Sequence, residues 1–102
     1  IVEGDEDDLA AKVENYGPVA VAIDAGKWSF QLYSSGIYDE PSCSSSFLDH
    51  GVGCIGYGKE NSTKYWIIRN SWGPTWGEKG YMKMIWKDNQ CGIASNACVP
   101  VA

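Results

Sequence analysis

Glycine constrains this chain more than any other residue type. Twelve of the 102 residues are glycine, and they cut the sequence into short segments joined by tight turns or close backbone contacts. Only one segment carries helical spacing. Leu9, Val13 and Tyr16 fall at i, i+4 and i+7, one apolar stripe of a helix over 5–16. Glu3, Asp5, Glu6, Asp7 and Asp8 precede or occupy its first turn, where negative charge complements the helix dipole. These acids lack the spacing and the closing Glu of a calcium loop. Gly17 and Pro18 end the helix.

Beyond Pro18 the apolar pattern shortens. Val19, Ala20, Val21, Ala22 and Ile23 form a continuous apolar run and read as a buried strand. Residues 24–33 are polar and aromatic and allow a short helical turn. A brief strand is expected at 36–38 and a Pro/Ser-rich loop at 41–46. A glycine-rich strand follows over 51–57, its glycines admitting close packing or a bulge. Residues 64–69 and 81–86 have the content of two further strands, separated by a long turn over 73–80. A small-residue turn at 91–97 and a last strand at 99–101 complete the chain. The expected fold is α+β and mostly β: one N-terminal helix, then several antiparallel strands in a curled sheet or small barrel. No repeat or linker divides it, so residues 1–102 read as a single domain.

Composition removes several function classes. Thirteen acids against eight bases give a net charge of −5, and the bases are scattered. Neutralising phosphates needs a concentrated basic face, so no nucleic-acid partner is expected. No apolar run approaches the roughly 18 residues of a membrane-spanning helix. Four cysteines in so short a chain favour an oxidising compartment. Ten residues separate Cys43 from Cys54 and six separate Cys91 from Cys98, unlike the paired short spacings of structural zinc sites. No metal or other cofactor is therefore expected. Asn61-Ser62-Thr63 sits in a turn and is an N-glycosylation sequon. The chain starts at Ile1, without an initiator Met or signal peptide, and reads as a processed product or an excised piece of something longer.

Histidine occurs once, as His50, at the head of a predicted strand. Histidine is the usual general base near neutral pH. A base needs a group that fixes its tautomer, and an amide can do so. Asn70 stands at the end of the strand expected over 64–69. Two adjacent strands could set His50 and Asn70 side by side; spacing alone permits this without requiring it.

The motifs are more specific. Leu48-Asp49-His50-Gly51-Val52, Gly56-Tyr57-Gly58, Tyr65-Trp66-Ile67-Ile68-Arg69-Asn70-Ser71-Trp72-Gly73, Trp76-Gly77, Gly80-Tyr81 and Cys91-Gly92-Ile93-Ala94-Ser95 together resemble the papain family of cysteine peptidases, most nearly its cathepsin L-like branch. The resemblance covers essentially the whole chain. It implies the carboxy-terminal, β-barrel-like right domain of a two-domain peptidase. By it, His50 is the catalytic imidazole, Asn70 its orienting amide, and Trp72 the indole that shields their hydrogen bond. Cysteine attacks as thiolate, and a neighbouring imidazolium makes the thiolate stable near neutral pH.

One departure from the family governs the expected function. The family's nucleophile lies in a Gln…Cys-Gly-Ser-Cys-Trp segment on a helix, and no such segment occurs here. The resemblance therefore implies an N-terminal Cys-bearing domain or chain as partner, with this chain alone inactive. A serine nucleophile, as in silica-forming relatives, is also compatible with this half. The other implied partners are peptide or protein substrates and cystatin-type or propeptide inhibitors, in a lysosomal or secreted setting. By resemblance Cys43 pairs with Cys91, a closure worth about 4 kcal/mol in the chain-entropy picture. Cys54 and Cys98 are left open between a second bridge and buried thiols. Ala22, Leu48, Gly51 and Asn96 resemble the lining of the pocket for the second residue before the scissile bond. The neutral Asn96 at that pocket's floor disfavours Arg. Asp49 resembles a residue whose backbone carbonyl meets substrate, with its side chain simply exposed. Two rival readings remain: an isolated or inactive homologous domain serving as folding unit or binding module, and a small disulfide-bonded structural protein.

Overall fold

The computed structural model describes residues 4–40, 43, 48–87 and 89–95, and the backbone of 97–98. Helix α1 (Glu6–Tyr16) starts at the N-cap Asp5, whose carboxylate accepts from the Asp8 N–H, as expected for an acid at that position. Its stripe differs in one place from the expected one. Leu9, Ala10 and Val13 are buried, whereas Tyr16 is exposed; it sits in the last turn, at the edge of the face packed on the sheet. Strands β1 (Val19–Ile23), β2 (Ile37–Tyr38), β3 (His50–Glu60), β4 (Thr63–Arg69), β5 (Tyr81–Ile85) and β6 (Ala97–Cys98) build one six-stranded sheet in the order β2-β5-β4-β3-β1-β6. The short helix α2 (Trp28–Gln31) falls within the aromatic stretch expected to hold a helical turn.

Two details of the strands correct the expectation. β2 pairs parallel with β5, so the sheet is mixed at that edge and antiparallel elsewhere. β1 is apolar throughout but buried on one face only: Val19, Val21 and Ile23 face the core, and Ala20 is exposed. A run of alanine and valine reads the same whether one face or both are covered. The β3–β4 register shifts between Cys54 and Gly56, a bulge in the glycine-rich strand where one was allowed. The expected last strand at 99–101 lies outside the described residues.

The core lies between α1, α2 and one face of the sheet. Its largest fully buried side chains include Leu9, Phe30, Trp66, Ile68, Met82 and Ile93. The even-numbered positions Val52, Cys54, Trp66 and Ile68 point into it. Strand parity continues that face into His50 and Asn70, which is why both reach the rim of the core rather than the opposite surface.

Candidate active site

His50 opens β3, and Asn70 follows the last residue of β4. Gly53 is the register partner of Arg69, so His50 and Asn70 stand diagonally across neighbouring strands on one face, within reach of each other's side chains. The His50 Nε2 lies 2.7 Å from the Asn70 Oδ1. The Ser71 N–H also donates to that oxygen, at 2.8 Å. A backbone N–H can only donate, so this contact fixes the amide's orientation. The His50 Nε2 therefore carries the proton and donates, leaving Nδ1 with its lone pair. Asn70 is buried, and its Nδ2 has no hydrogen-bond partner among the described residues.

The backbone of Asn70 is pinned from the loop that follows it. Its N–H donates to the Gly80 carbonyl at 2.9 Å. Gly80 has φ of 93°, and a Cβ there would stand 3.3 Å from the Gly73 carbonyl oxygen. Glycine is thus needed to bring the loop back to its own base. The same loop presents Trp72 and Trp76. Trp72 lies over the imidazole, with ring centroids 4.9 Å apart. Phe30 of α2 meets His50 and Trp72 edge-on, and the Trp76 Nε1–H donates to the Phe30 carbonyl at 3.0 Å. The imidazole is therefore held by one amide, one indole face and one buried phenyl edge.

Asp49 is exposed, as expected; its carboxylate also accepts the Ala25 N–H at 2.9 Å, and its own N–H donates to the Ile23 carbonyl. It ties the end of β1 to the residue before His50. Ala25, Gly26, Gln31, Asp49, His50 and Trp72 line a small open recess of about 530 Å³. Phe30 and Gln31 were not singled out in the sequence, where Phe30 is one of several aromatic residues in the 24–33 stretch.

The predicted pocket residues are only partly brought together. Ala22 and Gly51 are direct cross-strand partners, half-buried and exposed respectively. Leu48 is half-buried just before β3. Asn96 lies outside the described residues. Cys43 and Cys91 are bonded, with Cα atoms 4.9 Å apart. Cys91 is fully buried, and its carbonyl accepts the Asp24 N–H. Cys54 is a buried free thiol whose titration is pushed up to about 12, chiefly by loss of hydration. Such a thiol is a poor nucleophile. Among the described residues no group of three or more His, Cys, Asp or Glu could hold a metal ion, and no helix is long and apolar enough to cross a membrane.

A broader recess of about 1110 Å³ opens on the opposite, outward positions of β1, β3 and β4. Its lining includes Ala20, Gly51, Gly53, Arg69, Gly73 and Tyr81, and it also reaches Asn70.

Comparison with known proteins agrees with this geometry. The family described as "Papain family cysteine protease" matches residues 1–101. "Cathepsin L1" of Drosophila melanogaster is 52% identical over 99% of this chain, which spans 28% of that protein. "Digestive cysteine proteinase 3" of Homarus americanus is 52% identical over 97% of the chain and 31% of its own length. The structure of digestive procathepsin L 3 from Tenebrio molitor larval midgut superposes with a TM-score of 0.94 at 46% identity, over 98% of this chain and 33% of that one. The chain thus spans about a third of the proteins it resembles.

Proposed function

Since this chain belongs to the papain family of cysteine proteases, we propose that it is the His/Asn-bearing carboxy-terminal domain, residues 1–102, of a cathepsin L-like endopeptidase. The observation that carries this reading is the hydrogen bond from His50 Nε2 to the Asn70 Oδ1. It leaves Nδ1 as the nitrogen that exchanges a proton with a cysteine thiol from the remaining polypeptide. In the ion pair so formed, the thiolate attacks the peptide carbonyl. The imidazolium then protonates the departing amine, and the neutral ring later removes a proton from the water that releases the acyl group. Asn70 keeps the ring in the productive tautomer through both half-reactions, and Trp72 keeps water off the hydrogen bond that does so. Ala22, Leu48 and Gly51 line the pocket for an aliphatic or aromatic side chain, and the Asp49 backbone contacts the substrate.

The nucleophile-bearing region is proposed to approach the recess lined by Ala25, Gly26, Gln31, Asp49, His50 and Trp72, because its thiol must reach the His50 imidazole. Propeptide and cystatin-type inhibitors would bind across the assembled cleft, in a lysosome or outside the cell.

The test is complementation. This chain alone should cleave no peptide substrate. The complete polypeptide should cleave one, and alkylation of its thiol should abolish the activity. Thiol-independent hydrolysis by the chain alone would sink the reading. An intact mass with no companion segment in an active preparation would sink the proposed partner.

A further inference from the structure

The β3–β4 hairpin ends in a feature that peptide hydrolysis does not use. Glu60 and Thr63 are register partners, so Asn61 and Ser62 form a two-residue turn. Their φ values are 49° and 71°, both in the left-handed region. A type I′ hairpin turn has both central residues in this region, and asparagine adopts it at low cost. Asn61 and Ser62 are exposed, and Thr63, which begins β4, is half-buried. The Asn61 side chain makes no hydrogen bond among the described residues. The neighbouring Lys59 and Glu60 are also exposed, with Glu60 paired to Lys83 across the surface. The asparagine of an Asn-Ser-Thr tripeptide is thus presented, exposed, at the tip of a hairpin.

We infer that Asn61 is an N-glycosylation site, modified when the chain enters the lumen of the secretory pathway. In the transfer, the Asn61 Nδ2 forms a bond to the anomeric carbon of a lipid-diphosphate oligosaccharide. The carbon–oxygen bond to the diphosphate breaks, the lipid diphosphate leaves, and the amide gives up one proton. β3 separates the site from His50 by 11 residues of extended chain, about 30 Å. A glycan on Asn61 therefore covers the far end of the sheet and leaves both recesses open. This inference is independent of the peptidase reading.

The complete polypeptide containing this chain, carried by a secretion signal into insect cells, provides the test. Peptides from the secreted and lumenal pools are mapped by mass spectrometry before and after peptide N-glycosidase in heavy-oxygen water. The peptide spanning Asn61 should carry N-acetylhexosamine and hexose, and the glycosidase should convert Asn61 to heavy-labelled Asp. Asn61→Gln and Thr63→Ala should each lose the glycan, while Ser62→Ala, which keeps the tripeptide rule, should retain it. Unmodified Asn61 in both pools, or a glycan that persists in Thr63→Ala, would overturn the inference. Activity is read separately. Enzymatic removal of the glycan should leave kcat/KM unchanged, and an inactive but glycosylated protein would count only against the peptidase reading.

Discussion

At the scale of single residues, position depends on what each side chain accepts. The Asn70 Oδ1 takes two donors, the imidazole and the Ser71 N–H, and so sets the tautomer of His50. In the complete peptidase, Asn70→Ala should lower kcat by about 100-fold through loss of ring alignment, with KM little changed. Steady-state kinetics on one substrate checks this; a kcat near the parent value would show that Asn70 positions nothing. Spacing permitted the approach of His50 to Asn70 without requiring it, and Trp72 was singled out only through the resemblance; the structure sets all three side by side. The exposure of Asp49 was legible but its hydrogen bond was not, because a sequence does not distinguish an acid facing water alone from one accepting a backbone N–H at 2.9 Å. Phe30 escaped for a related reason. Its burial depends on Trp76, 46 residues away, whose indole N–H donates to its carbonyl.

At the scale of elements, the loop between β4 and β5 carries more of the site than its polar composition suggests. It closes on Asn70 through the Gly80 carbonyl, presents Trp72 and wedges Trp76 against Phe30. Gly77 is its tightest point: φ is 59°, and a Cβ there would stand 2.6 Å from the Tyr81 carbonyl oxygen and 3.2 Å from the Tyr33 ring. Gly77→Ala should therefore destabilise the fold by about 2 kcal/mol or more, seen as a lower denaturant midpoint. An unchanged midpoint would mean the loop yields freely. The strands themselves were legible from alternation and glycine content. The parallel β2–β5 pair was not, since two apolar residues carry no information about the direction of their partner. The exposure of Tyr16 was hidden for a similar reason: helical spacing defines a stripe, but not how wide a sheet covers it.

At the scale of the whole molecule, the six-stranded sheet has two unlike faces. One is packed with aromatic and aliphatic side chains, and the other presents the broad recess, where glycines alternate with larger residues such as Arg69 and Tyr81. The recess was not legible in the sequence, because Gly51 and Gly53 of β3 meet Gly73 and Gly80 of the β4–β5 loop only in the folded chain. The dry face also holds ionisable groups in their neutral forms. Burial pushes the Cys54 thiol from 9.0 up to about 12. Burial likewise raises the Tyr33 phenol from 10.0 to about 12; the nearby Glu78 carboxylate adds to this, and the Lys83 N–H partly offsets it. Both groups keep their proton in the folded protein at pH values where the unfolded chain releases it. Unfolding therefore becomes easier as pH rises: the stabilising contribution is complete below about pH 9 and is lost progressively toward pH 12. Denaturant titrations followed by tryptophan fluorescence between pH 8 and about 11 should show the midpoint falling. Cys54→Ala should remove the part of the slope that begins lower, and Tyr33→Phe the part that begins about one unit higher. An undiminished slope in the double variant would place the alkaline sensitivity elsewhere, in the exposed charges, where added salt would screen it.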